Sequence, residues 1–441
     1  MSIHLHVRRR AAVAAAALTM AAPLLGIAPS YAAASPYAAR PHVPRTEIVS
    51  VAADGTRGDQ RSISPAISYD GRYVAFDSEA SNLIPGGTGT GDVFLRDLRT
   101  GTIVRAGVGD DGRRSDDGSW SATLSGNGRV VGFTSSDPAL APGDRPPHGS
   151  YAYVRDLRTG RTESVGIGVD GVPFRWAAPR ALSADGRYVV FAGAVPTDKP
   201  PFSRSTLYLR DRVRGTTELI SGAVTPEMPG LGSASISADG RYVAFTTYDD
   251  ARINEKNAVY VRDRRTGRLE NVDHTPGDPR PVSHWYGHAS LSADGRFIAY
   301  VTNRDGKSAR NPTALWEVFV HDLRTGRTTL AAAAPDGGPL GKAAHEPRIS
   351  PDGRYVAYGT GACATAEPHC GYALYVRDLR RHGREATRRV SVAMDGGFPD
   401  HGAEAPVPAR GGCTVVFTSD ATNLVLAHPQ RVTDVYARHL C

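Results

Sequence analysis

Lysine is almost missing from this chain. Only Lys199, Lys256, Lys307 and Lys342 occur in 441 residues, so arginine supplies nearly all of the positive charge behind a formal net charge of +7. No stretch interleaves aromatic with basic residues, and a nucleic-acid partner is not expected. Four cysteines are present and none forms a C-x-x-C pair, which argues against a zinc site built from cysteine and histidine. G-x-S-x-G is absent, and with it the usual mark of a serine hydrolase domain. H-E-x-x-H and a phosphate-cradling glycine loop are absent too; GLGSAS at 230–235 is glycine-rich but opens a strand, not a helix. Past the N-terminus, no run approaches the roughly 18 apolar residues of a membrane helix.

One apolar run does exist, and it lies at the start. Arg8, Arg9 and Arg10 precede AAVAAAALTMAAPLLGIA, and small residues follow in PSYAAA. That order of charge, apolar core and small residues predicts a cleaved secretory signal over 1–34, by the general or the twin-arginine route. Its removal leaves a formal charge of +4. The expectation is an exported protein, extracellular or held in the cell envelope, with no membrane span after cleavage.

The remainder is repetitive. Aromatic residues ending a DGRYVAF-like segment recur at Phe76, Phe133, Phe191, Phe245, Tyr300, Tyr358 and Phe417, at spacings of 57, 58, 54, 55, 58 and 59 residues. Within one copy, residues 233–272, SASIS alternates, ADGR is a tight turn, and RYVAFTT is an aromatic, β-branched strand. A polar loop, a second alternating segment (AVYVRD), a second turn (RRTGR) and a last short strand (RLENV) complete the copy. Four-stranded meanders at this period are propeller blades. The seventh copy stops at Cys441 after three strands, whereas TEIVSV at 46–51 reads as a fourth strand with no blade before it. The expected fold is therefore all-β: one seven-bladed propeller of four-stranded antiparallel blades over 45–441, after a linker at 35–44. The N-terminal strand completes the last blade, which removes an exposed edge.

SADGRYVAF followed by VYVRDRRTGR, with SPDGRYVAY at 350–358, resembles the WD-like repeat of the TolB-type propellers. The resemblance covers 45–441 and implies the propeller fold. TolB itself resembles an α/β domain followed by six blades, so its envelope partners are not carried over to seven blades without that domain. The loops at 81–94 and 422–436 resemble acid-rich loops of relatives. Here they are poor in acids, which argues against calcium.

On such a ring the DGR and RTGR turns define a bottom face, and the starts of the first strands and the loops between second and third strands define a top. Arginines of the repeated turns, among them Arg96, Arg99, Arg155, Arg158, Arg377 and Arg380, read as a solvated bottom rim paired locally with Asp97, Asp156, Asp263 and Asp378. Cys363 and Cys370 share the top loop of the sixth blade. Cys413 opens the second strand of the seventh and Cys441 ends its third. Antiparallel neighbours bring those two positions together, so a Cys413–Cys441 disulfide is expected in an oxidising compartment.

The remaining chemistry gathers where first strands begin. Blades five to seven carry His284 and His288, His345 and Glu346, and His401 and Glu404; His288 aligns with Glu346, and His345 with Glu404. Imidazoles and carboxylates on adjacent blades could hold a metal or act as an acid/base pair on a sugar acid, a faint resemblance to propeller polysaccharide lyases. They equally suit a polar channel lining over water. Trp120, Trp176 and Trp285 stand at first-strand starts, and Trp316 in a top loop, as stacking surfaces for a sugar or a partner side chain. The reading that follows is a non-catalytic, monomeric, exported propeller that binds a protein or glycan at the top face or channel mouth, with no cofactor or metal. The alternative is a carbohydrate-active lyase or hydrolase that uses the His/Glu cluster.

Overall fold

A computed structural model describes residues 44–441 except 88, 146–147, 197–202, 223–229, 249–257, 273–287, 303–315, 334–339, 341–342, 362–372 and 427–430. The expected signal peptide, the linker through residue 43, His284, Trp285, Cys363 and Cys370 lie outside the described residues. Seven four-stranded antiparallel sheets follow one another in the order inner, second, third and outer strand. In the first blade these are Ser62–Ile67, Tyr73–Ser78, Asp92–Asp97 and Ile103–Arg105. The inner strands of the next six are Trp120–Leu124, Ala177–Leu182, Gly230–Ile236, Ser290–Leu291, Ala344–Ile349 and Ala403–Pro408. Each inner strand touches the next, and the seventh touches the first, so the ring is closed.

The repeat aromatics explain why each sheet has its own core. All seven are at most 1% exposed. Each stacks on an aromatic from the third strand of its own blade, from Phe133–Tyr153 with centroids 5.5 Å apart to Tyr300–Phe319 at 6.2 Å. Blades meet through the turn glycines. Gly240 has φ +73°, and a Cβ there would lie 2.2 Å from the Tyr188 ring of the preceding blade, so conformation and packing both demand glycine. Backbone hydrogen bonds also run from turn to turn. The Tyr69 N–H donates to Gly126 O, Asn127 to Ala184, Ala184 to Ala238, Ala238 to Ala293, and Ala293 to Pro351. Pro351 has no N–H to continue the series, and Gly411 N–H instead donates to the Asp352 carboxylate at 3.1 Å. Arg410 N–H donates to Tyr69 O and completes the circuit.

A second device closes five of the blades on themselves. The arginine of the DGR turn clamps the aspartate that ends the third strand: Arg72–Asp97 at 2.5 Å, Arg187–Asp211, Arg241–Asp263 and Arg296–Asp322 at 2.7 Å, and Arg354–Asp378 at 2.6 Å. Hydrogen bonds from these guanidinium groups hold Asp97 and Asp211 down at about 2. The bottom rim is thus more ordered than the sequence suggested. These five turn aspartates bind an arginine some 25 residues away, and Asp211 and Asp378 also meet Arg214 and Arg381, three residues on, at 3.9 and 3.5 Å. Arg96 and Arg155 are only partly exposed and Arg377 is buried; they donate across blade boundaries to Val51 O, Gly109 O and Ala333 O at 2.7, 2.8 and 3.2 Å.

The last blade follows the expected closure. Arg45–Ile48 pairs antiparallel with Asp434–His439, from Arg45 opposite His439 to Ile48 opposite Tyr436. The fully buried Asp434 carboxylate takes Arg57 Nε at 2.5 Å and the Ser50 hydroxyl at 2.7 Å, so both chain ends share one buried polar knot. Cys413 stands where the other blades place the DGR arginine. It is disulfide-bonded to Cys441, with Cα atoms 5.0 Å apart.

Candidate functional site at the channel and top face

Each inner strand is hydrogen-bonded along one side only, so its other edge exposes N–H groups toward the channel. Most inner strands also carry a bulge, and the extra residue adopts a left-handed conformation at Ser64, Ser121, Glu346 and Ala405. Side chains of the preceding blade satisfy these edges. Asp77 accepts from Ser121 N–H and Ala122 N–H at 3.0 and 2.9 Å. Ser235 Oγ accepts from Leu291 N–H at 3.0 Å, and Ser290 Oγ from Ile349 N–H at 3.1 Å. Glu346 Oε2 accepts from Ala405 N–H at 2.7 Å. One of the candidate carboxylates is therefore already committed to joining the sixth blade to the seventh.

Around it the structure brings His288 and His345 together with a residue the sequence reading passed over, Arg348. Burial, reinforced by Arg348 and opposed by Glu346, pushes the His288 imidazole down to about 4. Burial also lowers His345, whose ring lies against Gly359, where a Cβ would come within 2.4 Å of Cε1. Arg348 is partly solvent-accessible yet surrounded deep in the channel, and burial weakens its hold on its proton against the pull of Glu346. Glu404, next round the ring, is pushed up by burial, then by Glu346 and Asp420. His401 turns away from this group, with Nδ1 3.6 Å from Asp400 Oδ1. Arg348 had a signal: the other six inner strands place Ala66, Thr123, Ala181, Ser235, Ser290 and Val407 at that repeat position.

Chemically this is a channel lined by neutral imidazoles, one deep guanidinium and carboxylates. An imidazole that titrates near 4 is a weak base at neutral pH, which is poor tuning for proton abstraction. Among the described residues no three histidine, cysteine, aspartate or glutamate side chains are grouped to hold a metal ion.

The top face between the first and second blades holds a cleft of about 220 Å³. Arg61, Asp77, Glu79, Thr90, Asp92 and Trp120 line it. Trp120 is 38% exposed, and burial raises Asp77 to about 6. Asp77 too was legible in the sequence, as the one acid immediately after a repeat aromatic. On the next blade Trp176 is 45% exposed, with the Arg175 guanidinium 4.5 Å above its ring. Trp316 is buried and offers no stacking face. The two acid-poor loops latch inward: Ser81 N–H donates to Asp59 at 2.7 Å and Thr422 N–H to Asp400 at 2.7 Å.

No protein-family model and no curated protein matches this sequence. Solved structures do. The β-propeller domain of the Trilobed protease from Pyrococcus furiosus, described as having an open velcro topology, aligns with TM-score 0.52 at 10% identity, over 86% of this chain and 95% of that one. Acylaminoacyl peptidase from Pyrococcus horikoshii aligns with TM-score 0.51 at 11% identity, over 87% of this chain and 52% of that one. TolB from Acinetobacter baumannii aligns with TM-score 0.37 at 18% identity, over 61% of this chain and 53% of that one.

The common ground is the propeller fold. This chain spans about half the length of the peptidase and of TolB, and at such identities the likeness carries no activity with it.

Proposed function

We propose that this is an exported, non-catalytic propeller that binds a glycan or protein ligand at its top face. The observation that carries the reading is Trp120, an exposed indole at the rim of a polar cleft, with Trp176 exposed on the neighbouring blade. Aromatic faces beside carboxylate and guanidinium groups suit stacking plus hydrogen bonding to a sugar ring or a partner side chain. Export is supported by the arginine-led apolar leader and by the Cys413–Cys441 bridge, which suits an oxidising compartment. Committed hydrogen bonding of Glu346 and the low His288 pKa speak against acid/base work in the channel.

Glycan and peptide arrays probed with the purified protein test this reading. Ligands should be retained by the wild type and lost by Trp120→Ala combined with Trp176→Ala in a folded protein. Equal retention by that variant would overturn it. The alternative, a carbohydrate-active enzyme, rests on the close grouping of His288, His345 and Arg348. It requires product formation that disappears in His288→Ala or His345→Ala.

A further inference from the structure

The groove between neighbouring blades on the bottom face carries the same outer-strand carboxylate and turn glycine three times, and twice an arginine fills it. Between the second and third blades, Arg212 follows the third-strand aspartate and reaches back to Glu163 of the preceding outer strand, while its Nη1 donates to Gly186 O at 2.6 Å. Between the third and fourth blades, Arg264 does the same. Its Nε lies 2.9 Å from Glu218 Oε2, its Nη1 donates to Gly240 O at 2.6 Å, and its guanidinium carbon stands 4.6 Å from the centre of the Tyr188 ring. The other face of Tyr188 is taken by Arg187 at 4.8 Å.

Between the fourth and fifth blades every receiving part recurs. Glu270 holds the outer-strand position of Glu163 and Glu218, opposite Val261. Gly295 is the turn glycine corresponding to Gly240, and Tyr242 corresponds to Tyr188, with Arg241 on one face at 4.6 Å. The filling residue is missing, because Leu323 stands where Arg212 and Arg264 stand. Its backbone is held identically: Leu323 N–H donates to Arg296 O at 2.9 Å, as Arg264 N–H does to Arg241 O at 2.9 Å. The result is a cavity of about 320 Å³ lined by Tyr242, Glu270, Gly295 and Leu323.

We propose that this cavity is a binding site for an arginine side chain presented by a partner protein. Both sister grooves display the bound state, a carboxylate and a carbonyl receiving one guanidinium in cis, and the groove of Arg264 adds the aromatic face of Tyr188, where the groove of Arg212 has Val130. In the third groove the same set is left for a guanidinium in trans. Other charges line the cavity. Arg296 is engaged by Asp322, and Asp263 by Arg241. Asp294 adds a further acid and Arg324 a further base. Arg268 lies 3.2 Å from Glu270 but is 72% exposed, so water screens that contact. A base at the mouth is tolerated, since Arg264 occupies its groove directly beside Arg265. This site is on the opposite face from the proposed top-face ligand and does not depend on it.

Saturation-transfer NMR with N-acetyl-arginine methylamide, and with its neutral isostere N-acetyl-citrulline methylamide, tests the assignment. Arginine should bind with a dissociation constant on the order of 1 mM, and citrulline about tenfold more weakly. Leu323→Arg should fill the groove in cis and abolish arginine binding. Glu270→Gln, a change at the edge of the groove, should weaken it about tenfold and serves if Leu323→Arg disturbs the ring. Equal binding of arginine and citrulline, or undiminished arginine binding by either folded variant, overturns the proposal.

Discussion

Replacing Cys413 and Cys441 together by serine isolates what the terminal bridge contributes. In five other blades the DGR arginine and the third-strand aspartate join the same two strands. In the seventh, cysteine holds the arginine position and His439 the aspartate position, and His439 is already bound to Glu47 at 2.9 Å. The disulfide therefore has no ionic understudy. It closes a loop with a sequence separation of 28 residues. Chain-entropy reasoning for a loop of that size gives about 3–4 kcal/mol. With roughly 2 cal/mol/K of unfolding entropy per residue over the propeller, that is a fall of about 4–5 °C in Tm. Calorimetry checks the number. Amide exchange checks the location, since protection should fall first in Arg45–Ile48 and Asp434–His439, which pair beside the bridge. An unchanged Tm, or a loss of protection spread evenly over all seven blades, would refute the reasoning.

Three further tests address the closure knot and the acids. Asp434→Ala leaves Arg57 without its buried partner and should cost about 3–5 kcal/mol, read from the denaturant midpoint. Asp97 and Asp211 have folded pKa values near 2, below their unfolded range near 4. Their contribution is present above pH 4 and lost as pH falls through 2. The carboxylates are buried but their arginine partners are 30% exposed, so water screens the pairs and about 1 kcal/mol each is expected; Arg187→Met should flatten the acid limb of the stability profile. Asp77 runs the other way. Its folded pKa near 6 means that its contribution is present below pH 4 and lost as pH rises through 6. Measured against Asp77→Asn, the wild type should lose about 2–3 kcal/mol between pH 4 and pH 8.

The ring, its closure and the Cys413–Cys441 bridge were legible because each follows from a periodic pattern: alternation within strands, glycine at fixed turns, and a blade left one strand short. What escaped was relational. Nothing in RYVAF or VYVRD says that Arg72 will clamp Asp97, because the pair depends on strand register across a loop. The acceptor of the partly exposed Arg96 was missed for the same reason, since Val51 O belongs to the neighbouring blade. Glu346 looked like a free carboxylate until the bulge in the seventh inner strand presented Ala405 N–H to it. Arg348 and Asp77 break the pattern of their repeat positions, and departures from the repeat were a better guide to the channel than clusters of histidine. Arg212 and Arg264 are departures too, standing where five blades have leucine, and the open groove at Leu323 is visible only once they are seen to fill the sister grooves.

Binding without turnover is the central claim, and one measurement meets it directly. The ligand retained by the top face is incubated with the protein and then analysed by mass spectrometry. The account predicts that it is recovered with unchanged mass, and that capture is lost in Trp120→Ala combined with Trp176→Ala. Recovery of a cleaved or eliminated product, formed by the wild type and absent with His288→Ala or His345→Ala, would contradict it.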